Sequence, residues 1–283
     1  MSDLTIVQLT DTHLRAAGEH VHGVVDSHEN LLRVLAQVRV ARGPIHAIML
    51  TGDLADNGAP EAYRRLRAAV EPIAAELGAR VVYLMGNHDE RVAFGETLLD
   101  LAPGSVDPLA PHDSVTEVAG MRLIGLDSTT PGRHDGWLED EQLHWLAAQL
   151  RNPAALGTVL AVHHPPLPSA IAAAETLKLR NAQALAEVIA GTDVRVILCG
   201  HNHLTGAGML AGVPVWMGPA SSYRLETMPP AGRYRAGTGF GFSRLDIVDS
   251  ALVMMAVETT AAQSIHDSDE AAELARLAAI MRR

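Results

Sequence analysis

The stretch Ile45-His46-Ala47-Ile48-Met49-Leu50-Thr51-Gly52-Asp53 joins a mostly apolar run to a glycine and a carboxylate. Continuous rather than alternating apolar residues are typical of a strand that is buried on both faces, as in a parallel sheet covered by helices. The run therefore predicts a central strand. Asp53 would lie at its carboxyl end, where open α/β sheets place their ligand sites.

Similar apolar runs recur along the chain and alternate with helical patterns. The runs cover residues 4–9, 81–85, 121–126, 158–162 and 194–198. Apolar residues at helical spacing predict helices over residues 26–41, 60–76, 139–150 and 181–190. Strands that alternate with helices are typical of an α/β fold.

The pattern changes after Gly200. Strand-like segments over residues 213–217, 240–248 and 251–258 follow one another without helices, and Asp249-Ser250 fits a hairpin turn between the last two. Residues 268–283 carry the apolar stripe of an amphipathic helix. We therefore expect a single domain over residues 1–283, in which residues 205–258 add antiparallel strands and residues 268–283 a C-terminal helix.

Composition narrows the class of protein. The chain has a formal net charge of -11 and no run of Lys and Arg, so a partner bound through nucleic-acid phosphates is not expected. The single cysteine, Cys199, excludes an intramolecular disulfide and is consistent with a cytoplasmic location. The N-terminus lacks the pattern of a signal peptide, and no apolar stretch is long enough to span a bilayer.

Short polar clusters follow five of the apolar runs. They are Asp11-Thr12-His13, Gly52-Asp53, Gly86-Asn87-His88-Asp89, His163-His164 and Gly200-His201-Asn202-His203. Each cluster alone is consistent with an ordinary turn. Carboxylate, imidazole and amide oxygen together are the donors that a hydrolytic metal centre uses. Because side chains at i and i+2 of an extended segment point the same way, Asp11 and His13 can both face one ion, and His201 and His203 can point toward one region.

Several other histidines have weaker signals. His164 would point away from His163 on an extended segment, so we expect it to support the site from behind or to lie in the core. His20 and His22 belong to a predicted loop, where they are either solvated or part of a substrate pocket. A place at the surface or in ordinary packing is expected for His28, His46, His112, His144 and His266.

The five clusters, in this order, resemble the calcineurin-like metallophosphoesterase superfamily over residues 5–204. Residues 51–58, 85–89, 163–166 and 191–203 are similar to the class III cyclic-nucleotide phosphodiesterases of bacteria. The resemblance implies a four-layer α-β-β-α sandwich, with two mixed β-sheets flanked by helices. Protein phosphatases of the superfamily have an arginine where this chain has Asn57, which argues against a phosphoprotein phosphatase.

The resemblance also implies a role for each ligand type. Asp11, His13 and His203 would hold one ion. Asn87, His163 and His201 would hold a second ion, and Asp53 would bridge both. The ions would be divalent or trivalent, and Fe, Mn, Zn and Co all suit these donors.

Two further roles follow from the same resemblance. His88 would donate a proton to the leaving alkoxide after water activated by the ions attacks phosphorus. Asp56 is expected to orient His88, and Asp89 is a rival for that task.

The expected function is hydrolysis of small phosphodiesters, with 3′,5′- or 2′,3′-cyclic nucleotides first. The alternatives are a glycerophosphodiesterase, a phosphomonoesterase, or a non-catalytic interaction scaffold. Substrate contacts are expected from loops, for which Arg133, His134, Tyr223 and Arg224 are candidates. A homodimer is a further expectation.

Overall fold

The computed structural model describes residues 4–259 and residue 271. The strands are β1 (Leu4–Leu9), β2 (Ala47–Thr51), β3 (Arg80–Leu84), β4 (Ser114–Val118), β5 (Met121–Leu126), β6 (Thr158–Val162), β7 (Val194–Cys199), β8 (Gly206–Leu210), β9 (Val213–Met217), β10 (Arg224–Leu225), β11 (Ala236–Gly237), β12 (Gly241–Val248) and β13 (Ala251–Glu258). The helices are α1 (Ser27–Arg39), α2 (Pro60–Leu77), α3 (Arg91–Leu98), α4 (Asp140–Gln149), α5 (Ala172–Leu177) and α6 (Ala182–Ile189).

The strands form two large mixed sheets. The first has the order β13-β12-β1-β2-β3. In this sheet β1, β2 and β3 are parallel, and β12 pairs antiparallel with both β1 and β13. The second has the order β4-β5-β6-β7-β9-β8, with parallel strands from β5 to β9 and an antiparallel strand at each edge. β10 and β11 pair separately as a short hairpin.

Three apolar clusters separate the layers. The cluster between the sheets includes Ile6 and Met49 of the first sheet and Leu123 and Leu198 of the second. Helices α1 and α2 cover the outer face of the first sheet, where Leu31, Leu35 and Leu66 lie in one cluster with Leu9 and Leu50. Helices α4 and α6 cover the outer face of the second sheet in the same way. Since each central strand is buried on both faces, its apolar run is continuous, and the predicted four-layer α-β-β-α sandwich is confirmed.

Local signals in the sequence correspond to the observed boundaries. Asp26 caps α1, and its side chain accepts a hydrogen bond from the backbone N–H of Glu29. Asp249 and Ser250 both have positive φ, as a tight hairpin between β12 and β13 requires. Helix α2 continues through Pro72, so this proline does not divide the helix.

Two regions bear on expectations about the ends and surface of the chain. The C-terminal helix expected over residues 268–283 lies outside the described residues. Within the described residues, none of the helices combines the length and apolar character that crossing a bilayer requires.

The topology brings five loops to one edge of the sandwich. The loops after β1, β2 and β3 leave the carboxyl ends of neighbouring parallel strands in the first sheet. The loops after β6 and β7 do the same in the second sheet. Each of these loops carries one of the polar clusters, so the stacking of the two sheets decides which side chains meet.

Candidate metal centre

The seven predicted ligands meet where the two sheets face each other. Among the described residues, three groups of donors form, in each of which the ligand atoms lie within 4.8 Å of one another. Two consist of predicted ligands: Asp11, His13 and His203, and Asp53, His163 and His201. The third joins His13 to Asp56 and His88. Asn87 joins the second group, because its Oδ1 lies 2.8 Å from His201 Nδ1. Each of the seven side chains is more than a hundred residues away in sequence from at least one other member of its group, so only the fold assembles them.

The backbone of the ligands differs from the extended geometry that the sequence predicts. Asp11 and His13 have φ values of 52° and 44°, and Asp53, His201 and His203 are also left-handed. The reason is that β1 ends at Leu9 and β7 at Cys199, before the ligands begin. Hydrogen bonds from Asp11 N to Gly52 O and from His13 N to Asp53 O hold the turn. Left-handed non-glycine residues are costly, and such strain concentrates at functional sites.

Two glycines leave room for the ligands. A Cβ on Gly86 would clash with Asp53 and with His163, and a Cβ on Gly200 would clash with Thr10 and Asp11. Both glycines were part of the predicted clusters. Their role is close packing of backbone against a ligand side chain.

The first group contains a contact that a cation explains. His13 Nδ1 lies 3.0 Å from the Asp56 carboxylate, and His203 Nδ1 lies 2.8 Å from the Tyr223 carbonyl oxygen. Since both acceptors require an N–H, each neutral ring carries its proton on Nδ1 and a lone pair on Nε2. The two Nε2 atoms nevertheless face each other at 3.1 Å. Two lone pairs at that distance suit a shared metal ion.

The second group shows the same feature. His163 Nδ1 lies 2.8 Å from the Thr51 carbonyl oxygen, so Nδ1 carries a proton and the deprotonated ring would offer its lone pair from Nε2. That Nε2 is buried without a hydrogen-bond partner, as is Asp11 Oδ2 in the first group. Buried polar atoms normally have hydrogen-bond partners, and atoms that bind a metal ion are a recognised exception. The donor set therefore fits divalent metal ions.

Asp53 lies between the two groups. Its Oδ2 is 3.6 Å from His13 Nε2 and 3.3 Å from His163 Nε2. Its Oδ1 accepts a hydrogen bond of 2.9 Å from the backbone N–H of His88. One carboxylate oxygen thus faces a nitrogen ligand from each group, while the backbone fixes the other oxygen.

The charges of the site are strongly coupled. Burial would raise the pKa of Asp53, but the facing histidines, His163 first, outweigh it and hold the pKa well below its usual range. Burial lowers the pKa of His163, but the Asp53 carboxylate overrides this and raises it to about 9. Burial lowers the pKa of His201 to about 3 and that of His203 to about 4. Neutral imidazoles of this kind are the form that binds metal.

His88 lies at the open side of the groups. It is exposed, and its ring centroid lies 4.7 Å from that of His13. Burial lowers the pKa of His88, but the carboxylates of Asp53 and Asp56 and a hydrogen bond to the Asp56 backbone raise it by more.

The contact that orients His88 differs from the predicted one. His88 Nδ1 lies 2.8 Å from the backbone carbonyl oxygen of Asp56, not from its carboxylate. The Asp56 carboxylate instead contacts His13 Nδ1 and accepts a hydrogen bond of 3.0 Å from Arg15. A turn that returns the backbone of residues 53–56 toward the site explains both contacts, because it points the carbonyl and the side chain to different histidines.

Asp89 has another role. Its carboxylate accepts hydrogen bonds from the backbone N–H groups of Leu54, Ala55 and Gly86 and from the Tyr63 hydroxyl. It therefore ties the loop after β2 to the loop after β3. No hydrogen bond between the Asp89 carboxylate and His88 occurs in the described part of the chain.

His164 is buried behind the ligands. Its Nδ1 lies 2.7 Å from Ser128 Oγ, and its ring centroid lies 4.6 Å from that of His201. It belongs to neither of the two ligand groups defined above, and it supports His201 by packing.

An open cleft of about 640 Å³ leads to these groups. Its lining includes His134 and Tyr223, two of the four loop residues predicted as substrate contacts. The other two, Arg133 and Arg224, are paired with Asp135 and Glu258.

Some cleft residues were not anticipated from the sequence. Ala173, Ala174, Leu177, Leu225 and Tyr234 line the cleft, and their segments carry no motif. Of the two loop histidines, His22 packs its ring 5.2 Å from that of Tyr223, and His20 lies 3.9 Å from Asp26 at the surface.

Comparison with known proteins agrees with this geometry. The family model described as calcineurin-like phosphoesterase matches residues 4–204. A cAMP/cGMP dual specificity phosphodiesterase of Mycobacterium tuberculosis is 44% identical over 84% of this chain and 73% of its own length. A probable cyclic nucleotide phosphodiesterase of Rhodococcus erythropolis is 39% identical over 96% of this chain and 89% of its own.

Two more distant similarities complete the comparison. The glycerophosphodiester phosphodiesterase GpdQ of Enterobacter lignolyticus is 31% identical over 71% of each chain. Among solved structures, a purple acid phosphatase from yellow lupin has a TM-score of 0.64 at 16% identity, covering 92% of this chain and 52% of its own. That structural likeness concerns the fold alone.

Proposed function

Because the chain belongs to the calcineurin-like phosphoesterase family, we propose that it is a metal-dependent phosphodiesterase that hydrolyses cyclic nucleotides. The observation that carries the proposal is the meeting of two donor groups at one carboxylate, with facing lone pairs in the first and an unpartnered nitrogen in the second. The cyclic-nucleotide substrate is supported by relatives that are up to 44% identical and named for that activity.

The seven ligands divide into two sets in this proposal. Asp11, His13 and His203 hold one ion, Asn87, His163 and His201 hold a second, and Asp53 contacts both. The hydrogen bond between Asn87 Nδ2 and His134 Nδ1 directs Asn87 Oδ1 toward His201. When bound, the ions lower the pKa of a coordinated water and neutralise charge on the phosphoryl oxygens. Mn, Fe, Zn and Co remain the candidate metals.

The remaining work belongs to side chains that do not bind metal. His88 donates a proton to the leaving oxygen from the open side of the ligands, where its ring centroid lies 4.7 Å from that of His13. The Asp56 carbonyl oxygen accepts from His88 Nδ1, so the proton that is donated resides on Nε2. Asp56 also holds His13 in position, and Arg15 holds Asp56.

The direct test is hydrolysis of 3′,5′-cAMP, 3′,5′-cGMP and 2′,3′-cAMP by protein reconstituted with Mn²⁺, with a chelated sample as control. We expect turnover that requires the metal. A higher kcat/KM for phosphomonoesters than for every diester would identify a phosphomonoesterase instead. No metal-dependent turnover of any ester would favour the non-catalytic scaffold.

A second candidate substrate class is the glycerophosphodiesters. It is favoured by the 31% identity with a glycerophosphodiester phosphodiesterase. Both classes are diesters and place the same demands on the ligands, so side-by-side kcat/KM values on cAMP and on glycerophosphocholine separate them. The cytoplasmic location and the homodimer stay predictions.

A further inference from the structure

The cleft beside the metal ligands is lined by two elements that take no part in binding metal. The hairpin of β10 and β11 contributes Leu225 and the loop residue Tyr234. Helix α5 contributes Ala173, Ala174 and Leu177. These five side chains, which we call the apolar rim, are uncharged, in contrast to the carboxylates and imidazoles below them.

Tyr223 and Tyr234 differ in how their rings are used. The centroid of the Tyr223 ring lies 4.1 Å from that of His203 and 5.2 Å from that of His22. The Tyr223 ring therefore already packs against two other rings. Tyr234 is 64% exposed and has no ring partner among the residues that the structure describes. An exposed aromatic ring at the mouth of a cleft gains by covering its face with a ligand.

We propose that the apolar rim, with Tyr234 as its principal residue, binds the base of a nucleoside phosphate whose phosphate group lies at the metal ligands. The proposal rests on the proposed function and adds how the substrate class is selected. Bases stack on aromatic side chains through their π faces, which all bases share. The rim would therefore distinguish a diester that carries a base from one that does not, more than it would distinguish adenine from guanine.

Binding measurements test the rim without relying on turnover. Metal-loaded protein is titrated calorimetrically with AMP and with ribose 5-phosphate, which share the phosphate and sugar but differ in the base. Wild type is expected to bind AMP about tenfold more tightly, and Tyr234→Ala is expected to remove that preference. Tyr234→Phe keeps the ring and is expected to retain it. Equal affinity of wild type for both ligands, or a preference that persists in Tyr234→Ala, overturns the proposal.

Turnover separates this proposal from the proposed function. The substrates are cAMP and the 3′,5′-cyclic phosphate of a sugar that lacks a base. A loss in Tyr234→Ala on cAMP alone supports the rim. If wild type and Tyr234→Ala hydrolyse both diesters equally well, the base-binding role of the rim is wrong and the phosphodiesterase activity is supported. If AMP is preferred in binding but neither diester is hydrolysed, the proposed function is wrong and the base-binding role of the rim is supported.

Discussion

The ligand groups and the apolar rim of the same cleft differ in burial, backbone and charge. Asp11 and His163 are 0% exposed and Asp53 is 2% exposed, whereas Tyr234 is 64% exposed. The ligands follow buried strands, and five of them have left-handed backbones held by hydrogen bonds. The rim comes from a short helix and from a hairpin whose two strands have two residues each. The many contacts around the ligand groups fix their geometry and therefore the reaction. The rim has fewer such contacts, so substitutions in it can change the preferred substrate without changing the reaction.

Asp53→Asn is expected to have the largest effect, because it removes the charge that faces a histidine of each group. We expect loss of metal and at least about a 10³-fold decrease in kcat/KM. Metal content by plasma mass spectrometry and kinetics on cAMP measure both. Asp140→Asn, at an exposed carboxylate on α4, is the matched control. An Asp53→Asn variant that kept its metal and its activity would contradict the essential role that we give to the ligand groups and not to the rim.

His88→Ala is expected to lower kcat by roughly 10²- to 10³-fold and to leave the metal content unchanged. The reason is that His88 contacts the Asp56 backbone and belongs to neither group of predicted ligands, sharing a donor group only with His13 and Asp56. His144→Ala, on the exposed side of α4, serves as the control. Loss of metal in His88→Ala would make this histidine a ligand rather than an acid.

Asp56→Asn distinguishes support of a ligand from support of the acid. Because the carboxylate contacts His13, we expect metal affinity to fall about 10- to 100-fold, the usual cost of losing such a partner. The alkaline limb of the pH profile of kcat should shift to lower pH, because the variant keeps the Asp56 carbonyl that holds His88 but loses the charge that raises the pKa of His88. Normal metal affinity would instead show that the Asp56 carboxylate does not support His13 as a ligand.

Metal affinity is expected to rise with pH. Without ions, Asp53 raises the pKa of His163 to about 9, so this imidazole is protonated at neutral pH. Metal must displace that proton, and affinity therefore falls as pH drops below the raised pKa, by about tenfold for each pH unit. Calorimetric titration with Mn²⁺ near pH 7 and pH 8, in buffers of different ionisation enthalpy, measures the affinity and the proton released. A pH-independent affinity would contradict the coupling.

Arg133→Ala is expected to have the smallest effect. Arg133 is a cation near the cleft, but it is exposed and paired with Asp135, with which it shares two hydrogen bonds. We expect kcat/KM on cAMP to change by no more than about twofold. A decrease of tenfold or more would show that Arg133 is a phosphate-binding cation despite its pairing with Asp135.

The ligand types were predictable because parallel strands end at a common edge, so the residues after β1, β2, β3, β6 and β7 had to converge. The backbone conformation of the ligands was not predictable. A D-x-H spacing is equally consistent with an extended segment and with the left-handed turn at Asp11 and His13. Whether the carbonyl or the carboxylate of Asp56 faces His88 depends on the backbone of residues 53–56.

Tyr234 illustrates the other limit. It lies in a segment rich in Pro, Gly and Arg without periodicity, and the pairing of Leu225 with Ala236 brings it to the cleft. The Leu225–Ala236 contact spans a loop whose conformation no local signal specifies. The sequence therefore predicted which polar side chains lie together and the reaction class, but not the rim.

Anomalous diffraction from crystals of the Mn²⁺-reconstituted protein tests the central claim most directly. We predict two anomalous peaks, one at Asp11, His13 and His203 and one at Asn87, His163 and His201, with the Asp53 carboxylate in contact with both. A single peak, or peaks that Asp53 does not contact, would contradict the two-group centre.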